Sequence, residues 1–396
     1  MKQFMFTVPS RILFGEKMVQ KLPLFVKEFN SERTFVVSDV TLRKIGLVDQ
    51  VLQPLKSIGV ELTLFDNVEP EPSILNAEEV AAAVRSGHFD LVIGIGGGSV
   101  LDMAKVASAA AVNPGTVRSY IGVDKIPRRG LPMILVPTTS GTGSEITMNA
   151  VVKSEEDLIK LGIVSKHLLP DVAVIDPTLT LTMPPKITAS CGLDALSHAV
   201  ESLMSVNSNP ITEALAIAAA RLVFSSLKPA YEKGNNIEAR RNMALASTMA
   251  GMAFGNTGVC AGHAVAYAFA VKSKCPHGVS CAIALPYVIE FNMPNSLRVL
   301  SMLAKAVGVQ GRTPERDAYN VVRAVRKLIT DVNIPLSLEK IGLTENDIPR
   351  LAEDLLKSQR LLVNNPRPIS REDAEGLFAR MLKGRPLPYS TYVNVN

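Results

Sequence analysis

The chain has 396 residues, 47% of them hydrophobic and 20% charged, with a net charge of +5. That length favours two domains with separate cores, and the composition is that of an ordinary globular protein. The basic residues are scattered, with no run longer than a pair such as Arg128 and Arg129, so no nucleic-acid partner is expected, and no run of about 18 apolar residues marks a membrane span.

The opening ten residues, MKQFMFTVPS, hold no apolar secretion core. The four cysteines (Cys191, Cys260, Cys275 and Cys281) form no CxxC pair and fall in one third of the chain. That is not a disulfide framework, and a reducing cytoplasm is the expected location.

In chain order, short strands are predicted over residues 5–8 and 11–14, a helix over 16–29, and a strand over 34–37 ending in Ser38 and Asp39. A helix over 51–58 and a strand over 61–65 follow. Ser73 reads as the N-cap of a helix reaching Arg85. An apolar strand over 91–95 runs into Gly96, Gly97, Gly98 and Ser99, then a helix over 100–112. A second apolar strand, 133–136, leads into PTTSGTGSE at 137–145. Segments 146–152 and 159–164 suit a hairpin, and 172–175 a last strand. Strand–helix alternation of this kind predicts a parallel sheet covered on both faces. Past residue 183 the alternation stops, and helices are predicted over 187–204, 211–228, 239–254, 296–307, 314–332, 345–357 and 371–381.

The turn at 96–99 has the strand–glycine–helix order that binds phosphate through backbone N–H groups and a helix N-terminus, or it is a tight turn with no ligand. Its spacing is neither GxGxxG nor a P-loop. Thr138 to Ser144 is a second such turn, and two turns at strand ends of a doubly wound sheet suit one dinucleotide. Asp39 stands where an acid takes ribose hydroxyls and repels a 2′-phosphate, favouring NAD over NADP; the alternative is a helix cap.

In the helical half, Asp194 and His198 are four residues apart, one turn of a helix, among Ala, Leu and Val. Buried unpaired they would be costly, so a divalent metal or a local hydrogen bond is expected between them. Of five histidines, His88 and His167 lie in polar surroundings. His263 and His277 lie in small-residue and helix-start contexts. One carboxylate and three imidazoles without thiolate suit ferrous iron or zinc in an open site. Cys260 and Cys275 read as small core residues, since zinc cysteines come in close pairs. Glu201, three residues beyond His198, either orients it or is an exposed helix acid.

Taken together, GGGSVLDMAK, PTTSGTGSE, CGLDALSHAVE and GHAVAYAFAVKSKCPHG resemble the iron-containing (group III) alcohol dehydrogenases over nearly the whole chain. The resemblance implies a dehydroquinate synthase-like fold. An α/β NAD(P)-binding domain would span residues 1–183, and an all-helical metal-binding and catalytic domain residues 184–396. It also implies NAD(P)-linked oxidation of an alcohol, or reduction of an aldehyde or ketone. A homodimer or higher homo-oligomer is expected separately, from an edge in the chain itself. Residues 4–14 are the expected edge for pairing.

By resemblance, the metal ligands fall on Asp194, His198, His263 and His277, holding Fe2+ or, alternatively, Zn2+. The cofactor contacts fall on Gly97, Gly98, Ser99 and Asp102, then on Thr138, Thr139, Thr142, Thr147, Lys160 and Leu179, with Asp39 as the residue favouring NAD. Phe254 and Asn149 are expected to line the pocket. Several members carry a histidine four residues after the third ligand; Tyr267 stands there in this chain, so any proton relay would use a phenol. Glu71 stands where some members have Asn. The alternative is a non-redox lyase of the dehydroquinate synthase kind or a metal hydrolase, which would need several basic residues near the metal motifs. Only Lys272 and Lys274 lie there. A nucleotide sensor without turnover is the third reading.

Overall fold

The computed structural model describes residues 3–154, 156 and 159–390. It divides into two compact units: Thr7–Thr182, and Met183 onward together with the residues before Thr7.

The first unit is α/β. Its strands are β1 (Arg11–Phe14), β2 (Arg33–Val37), β3 (Glu61–Phe65), β4 (Leu91–Gly96), β5 (Gly122–Val123), β6 (Met133–Pro137), β7 (Asn149–Ser154), β8 (Ile159–Val164) and β9 (Val172–Ile175). Its helices are α1 (Leu22–Glu28), α2 (Val40–Lys44), α3 (Leu47–Leu52), α4 (Ile74–Arg85) and α5 (Gly98–Val112). Six strands form one sheet in the order β1-β9-β6-β4-β2-β3, every pair parallel. The central strands, LVIGIG and MILVP, are buried along their length, which is why they read as continuous apolar runs. Successive side chains leave the sheet on opposite faces. Phe35, Val37 and Val92 pack with α4 and α5 on one face, and Val36, Leu91 and Ile93 with α1 and α3 on the other. The expected hairpin forms as β7 and β8, from Asn149↔Val164 to Ser154↔Ile159, with β5 beside β8.

Three local expectations fail, each at a proline. Residues 5–8 form no strand; β1 pairs instead with β9 at the sheet edge, from Arg11↔Val172. The expected strand pair within 4–14 is therefore absent, and Pro9 offers no ladder donor there. The helix over 16–29 splits into a 3-10 turn, Met18–Lys21, and α1, with Pro23 in the first turn of α1. The helix over 51–58 is α3 followed by the 3-10 turn Gln53–Ile58, which starts at Pro54.

The second unit is helical: α6 (Pro185–Met204), α7 (Pro210–Glu232), α8 (Ile237–Thr257), α9 (Ala261–Ser273), α10 (His277–Ala306), α11 (Pro314–Asp331), α12 (Ile348–Lys357), α13 (Gln359–Leu362) and α14 (Arg371–Lys383). One apolar cluster runs from Ala189 on α6 to Leu382 on α14. The helix expected over 296–307 is only the end of α10, which continues through Pro286 and Pro294. Burial on most sides outweighs the hydrogen bonds these prolines forgo. Helix α7 is long and apolar enough to cross a bilayer by length and composition, although Glu213, Arg221 and Lys228 interrupt its apolar run. In this unit it packs Ala219, Val223 and Leu227 into the helical core, and its N-terminus is closed by an Asn209–Thr212 capping box.

Candidate active site

Three helices bring their side chains together at Asp194. Asp194 and His198 lie one turn apart on α6, His263 near the start of α9 and His277 at the first position of α10. Gly278 lets α10 come this close, because a Cβ there would lie 2.2 Å from the Ser190 carbonyl oxygen on α6. Asp194 Oδ1 lies 3.5 Å from His277 Nε2 and 3.8 Å from His263 Nε2, and Asp194 Oδ2 lies 4.0 Å from His198 Nδ1. His198 Nε2 and His263 Nε2 face each other at 3.0 Å. The structure thus brings together all four residues expected as ligands.

The His198 and His263 nitrogens, 3.0 Å apart, have the spacing of two ligands on one cation, and the Asp194 oxygens lie 3.5–4.0 Å from the three rings. Two ligands at about 2.1 Å from one ion, at octahedral or tetrahedral angles, stand roughly 3.0–3.4 Å apart. Asp194 Oδ1 is buried and has no hydrogen-bond partner, an uncompensated acceptor that a cation would satisfy. Burial pushes the Asp194 carboxyl up, but His198, His277, His263 and the Cys281 thiol outweigh it and hold the group below the usual carboxylate range. The His277 side chain is 24% exposed, against 2% for His263 and 6% for His198, so the centre opens on the His277 side.

The surroundings fix the rings. Phe254 stacks on His198 with centroids 4.0 Å apart and planes 14° from parallel. Tyr267 meets His263 edge-on at 6.2 Å and lies 5.6 Å from His277. Glu201 departs from both sequence expectations: it is fully buried, and its partner is His263 rather than His198. His263 Nδ1 lies 2.6 Å from Glu201 Oε1, while the backbone N–H groups of Cys260 and His263 donate to Oε2 at 2.7 and 3.2 Å. Gly262 makes room for this carboxylate, since a Cβ there would lie 2.4 Å from Oε1.

In the α/β unit, Gly97 caps α5 with no side-chain acceptor, and Gly98 and Ser99 are its first two residues. Ser99 Oγ accepts from the Glu71 N–H at 3.2 Å. Asp102 is engaged at both oxygens, by Ser144 Oγ at 2.6 Å and the Val151 N–H at 2.9 Å, so it braces the second turn. Thr138 is buried, whereas Thr139 and Thr142 are partly open. Thr147 is buried and accepts from Lys105 Nζ at 3.3 Å. Lys160 Nζ pairs with Glu71 at 3.1 Å. Leu179 is fully buried in the core with Leu22 and Val174, so its side chain faces apolar neighbours rather than a ligand. Asp39 caps α2, its Oδ1 accepting from the Leu42 N–H at 2.9 Å.

Sequence reasoning passed over Lys105. It is fully buried, and its ammonium also donates to Ser144 Oγ at 2.9 Å and to the Asn149 carbonyl at 2.6 Å. Burial lowers it to about 8, against the pull of Asp102 and Glu145. Glu145 is pushed up to about 7 by burial, partly offset by its backbone hydrogen bond and Lys105. A lysine in a helix whose only other charged residue is Asp102 was the available signal.

Residues 9–177 match the iron-containing alcohol dehydrogenase family model, and residues 188–382 match the model of the C-terminal part of the Fe-containing alcohol dehydrogenases. The chain belongs to the iron-containing alcohol dehydrogenase family. It is 39% identical over 364 residues to long-chain-alcohol dehydrogenase 1 of Geobacillus thermodenitrificans, covering 91% of this chain and 92% of that one. It is 35% identical to 1,3-propanediol dehydrogenase of Citrobacter freundii over 95% of this chain and 98% of the other. Among solved structures, an alcohol dehydrogenase from Oenococcus oeni superposes with a TM-score of 0.91 at 36% identity, covering 96% and 100% of the two chains. The parallel sheet and helical unit are those of an iron-containing alcohol dehydrogenase with the dehydroquinate synthase-like fold.

Proposed function

We propose that this chain oxidises a primary or secondary alcohol, or reduces the corresponding aldehyde, with NAD as hydride carrier and a divalent metal held by Asp194, His198, His263 and His277. The observation that carries the reading is the pair of imidazole nitrogens 3.0 Å apart beside an unpartnered, buried Asp194 oxygen. Oxygen and imidazole donors accept ferrous iron or zinc, and the family description favours iron. When bound, the ion supplies a Lewis acid for the alcohol or carbonyl oxygen. Glu201 keeps His263 in the tautomer that presents Nε2. Phe254 covers one face of His198 and shields it from water. The opening beside His277 admits substrate, with Tyr267 as the neighbouring hydroxyl able to pass a proton outward.

For the cofactor, the uncapped start of α5 offers the N–H groups of Gly98 and Ser99 to a pyrophosphate. Thr139 and Thr142 stand on the second turn with Thr138 behind them. Asp102, Thr147, Lys160 and Leu179 shape the site through internal contacts. Asp39 favours NAD over NADP by charge. The four unbridged cysteines suit a reducing compartment, and the open edge of β1 suits a homodimer. The relatives described above are named as dehydrogenases, which leaves the lyase alternative unfavoured. Metal analysis of anaerobically purified protein, followed by alcohols and aldehydes of increasing length with NADH and NADPH, tests this. An Asp194→Ala variant that keeps wild-type metal content and turnover would overturn it.

A further inference from the structure

The centre contains a donor outside the four assigned residues. Cys281 lies one turn beyond His277 on α10, so the two share a helix face. Its sulfur is 3.7 Å from His277 Nδ1 and 3.8 Å from Nε2, and the thiol hydrogen-bonds the Asp194 carboxylate. It is buried and unbridged. Asp194, His263, His277 and Cys281 each bring a donor atom within 4.8 Å of the other three. The orphan Asp194 oxygen belongs to this same group. Cys260 differs: its thiol is spent on the Glu201 and Asn364 carbonyls at 3.5 and 3.4 Å.

We propose that Cys281 is a fifth, soft donor of the centre and biases it toward a thiophilic ion, zinc above all, over ferrous iron. Carboxylate and imidazole discriminate weakly among divalent first-row ions, whereas a thiolate selects for the softer ones. On ligation the thiol hydrogen leaves as a proton to water, and the sulfur keeps the electron pair it donates. The inference rests on the metal reading of the same cluster, and the test separates the two.

The metal-free full chain is given one equivalent of Co2+ under anaerobic conditions, and both bound cobalt and near-ultraviolet absorption are read. The expected result is stoichiometric cobalt with a thiolate-to-cobalt charge-transfer band. That band is lost in Cys281→Ser while cobalt stays bound. In a parallel competition, the ratio of zinc to ferrous iron retained should fall on the order of tenfold or more in the variant. Cys281→Ala serves if the first variant does not fold. Cobalt bound by the wild type without the band, or a band and metal ratio unchanged in a folded variant, overturns the role of Cys281 and leaves the four-residue centre standing. No bound cobalt overturns both readings.

Discussion

Glu201 acts on its neighbours through three hydrogen bonds, two to backbone N–H groups and one to the His263 ring. A carboxylate on Nδ1 leaves Nε2 as the lone-pair atom, and Nε2 is the atom turned toward His198 and Asp194. Glu201→Gln should therefore lower metal affinity by about 10–100-fold, measured by chelator competition. Gly262→Ala should weaken the metal too, although it alters no donor, because its methyl group displaces the Glu201 carboxylate. Wild-type affinity in both variants would dismiss the clamp. The spacing of Glu201 from His198 was visible in the sequence, and it pointed to the wrong histidine. Helical spacing reports neighbours along α6 only, whereas the true partner arrives on α9.

Among the elements, α5 is tied to the second glycine turn by Lys105, Asp102 and Ser144. Glu145 beside them has a folded-state pKa raised from 4.5 to about 7. Between those values the folded chain holds a proton that the unfolded chain has lost, so stability falls as pH rises through that window. Lys105 is lowered from 10.5 to about 8, so the unfolded chain binds more protons between those values and stability rises there. Urea unfolding of the cofactor-free protein should show both limbs. Glu145→Gln should flatten the acidic one, and an unchanged limb would remove Glu145 as its source. Elements with local signals were legible: Ser73 caps α4 through the Asn76 N–H at 3.0 Å, and β4 and β6 announce themselves as apolar runs. The early part of α10 was not legible, because proline is a local warning and burial of the helix a tertiary answer.

Across the whole molecule, the two units hold separate cores, so metal and cofactor should stabilise different parts of the chain. Metal at 100 times its dissociation constant contributes about 2.7 kcal/mol. Chelation should accordingly lower the calorimetric transition of the helical unit, and metal should restore it. Arg240 anchors the start of the helix bearing Asp194, although it is almost fully buried. It donates to Thr188 Oγ1 at 2.7 Å, the Met183 carbonyl at 3.0 Å and the Gly234 carbonyl at 2.9 Å. Arg240→Ala leaves all three without this donor and should cost on the order of 3 kcal/mol or more in urea unfolding.

The sequence by itself determined that Asp194 and His198 share a helix face, that two glycine-rich turns end apolar strands, and where strand–helix alternation stops. Helix pitch, turn chemistry and apolar patterning are properties of neighbouring residues, so they can be read without a fold. Only the tertiary structure decided that Glu201 serves His263, that Leu179 is core, that Lys105 is buried, and that Cys281 stands within the donor cluster. Each depends on which elements meet, and that is settled by the packing of side chains far apart in the chain.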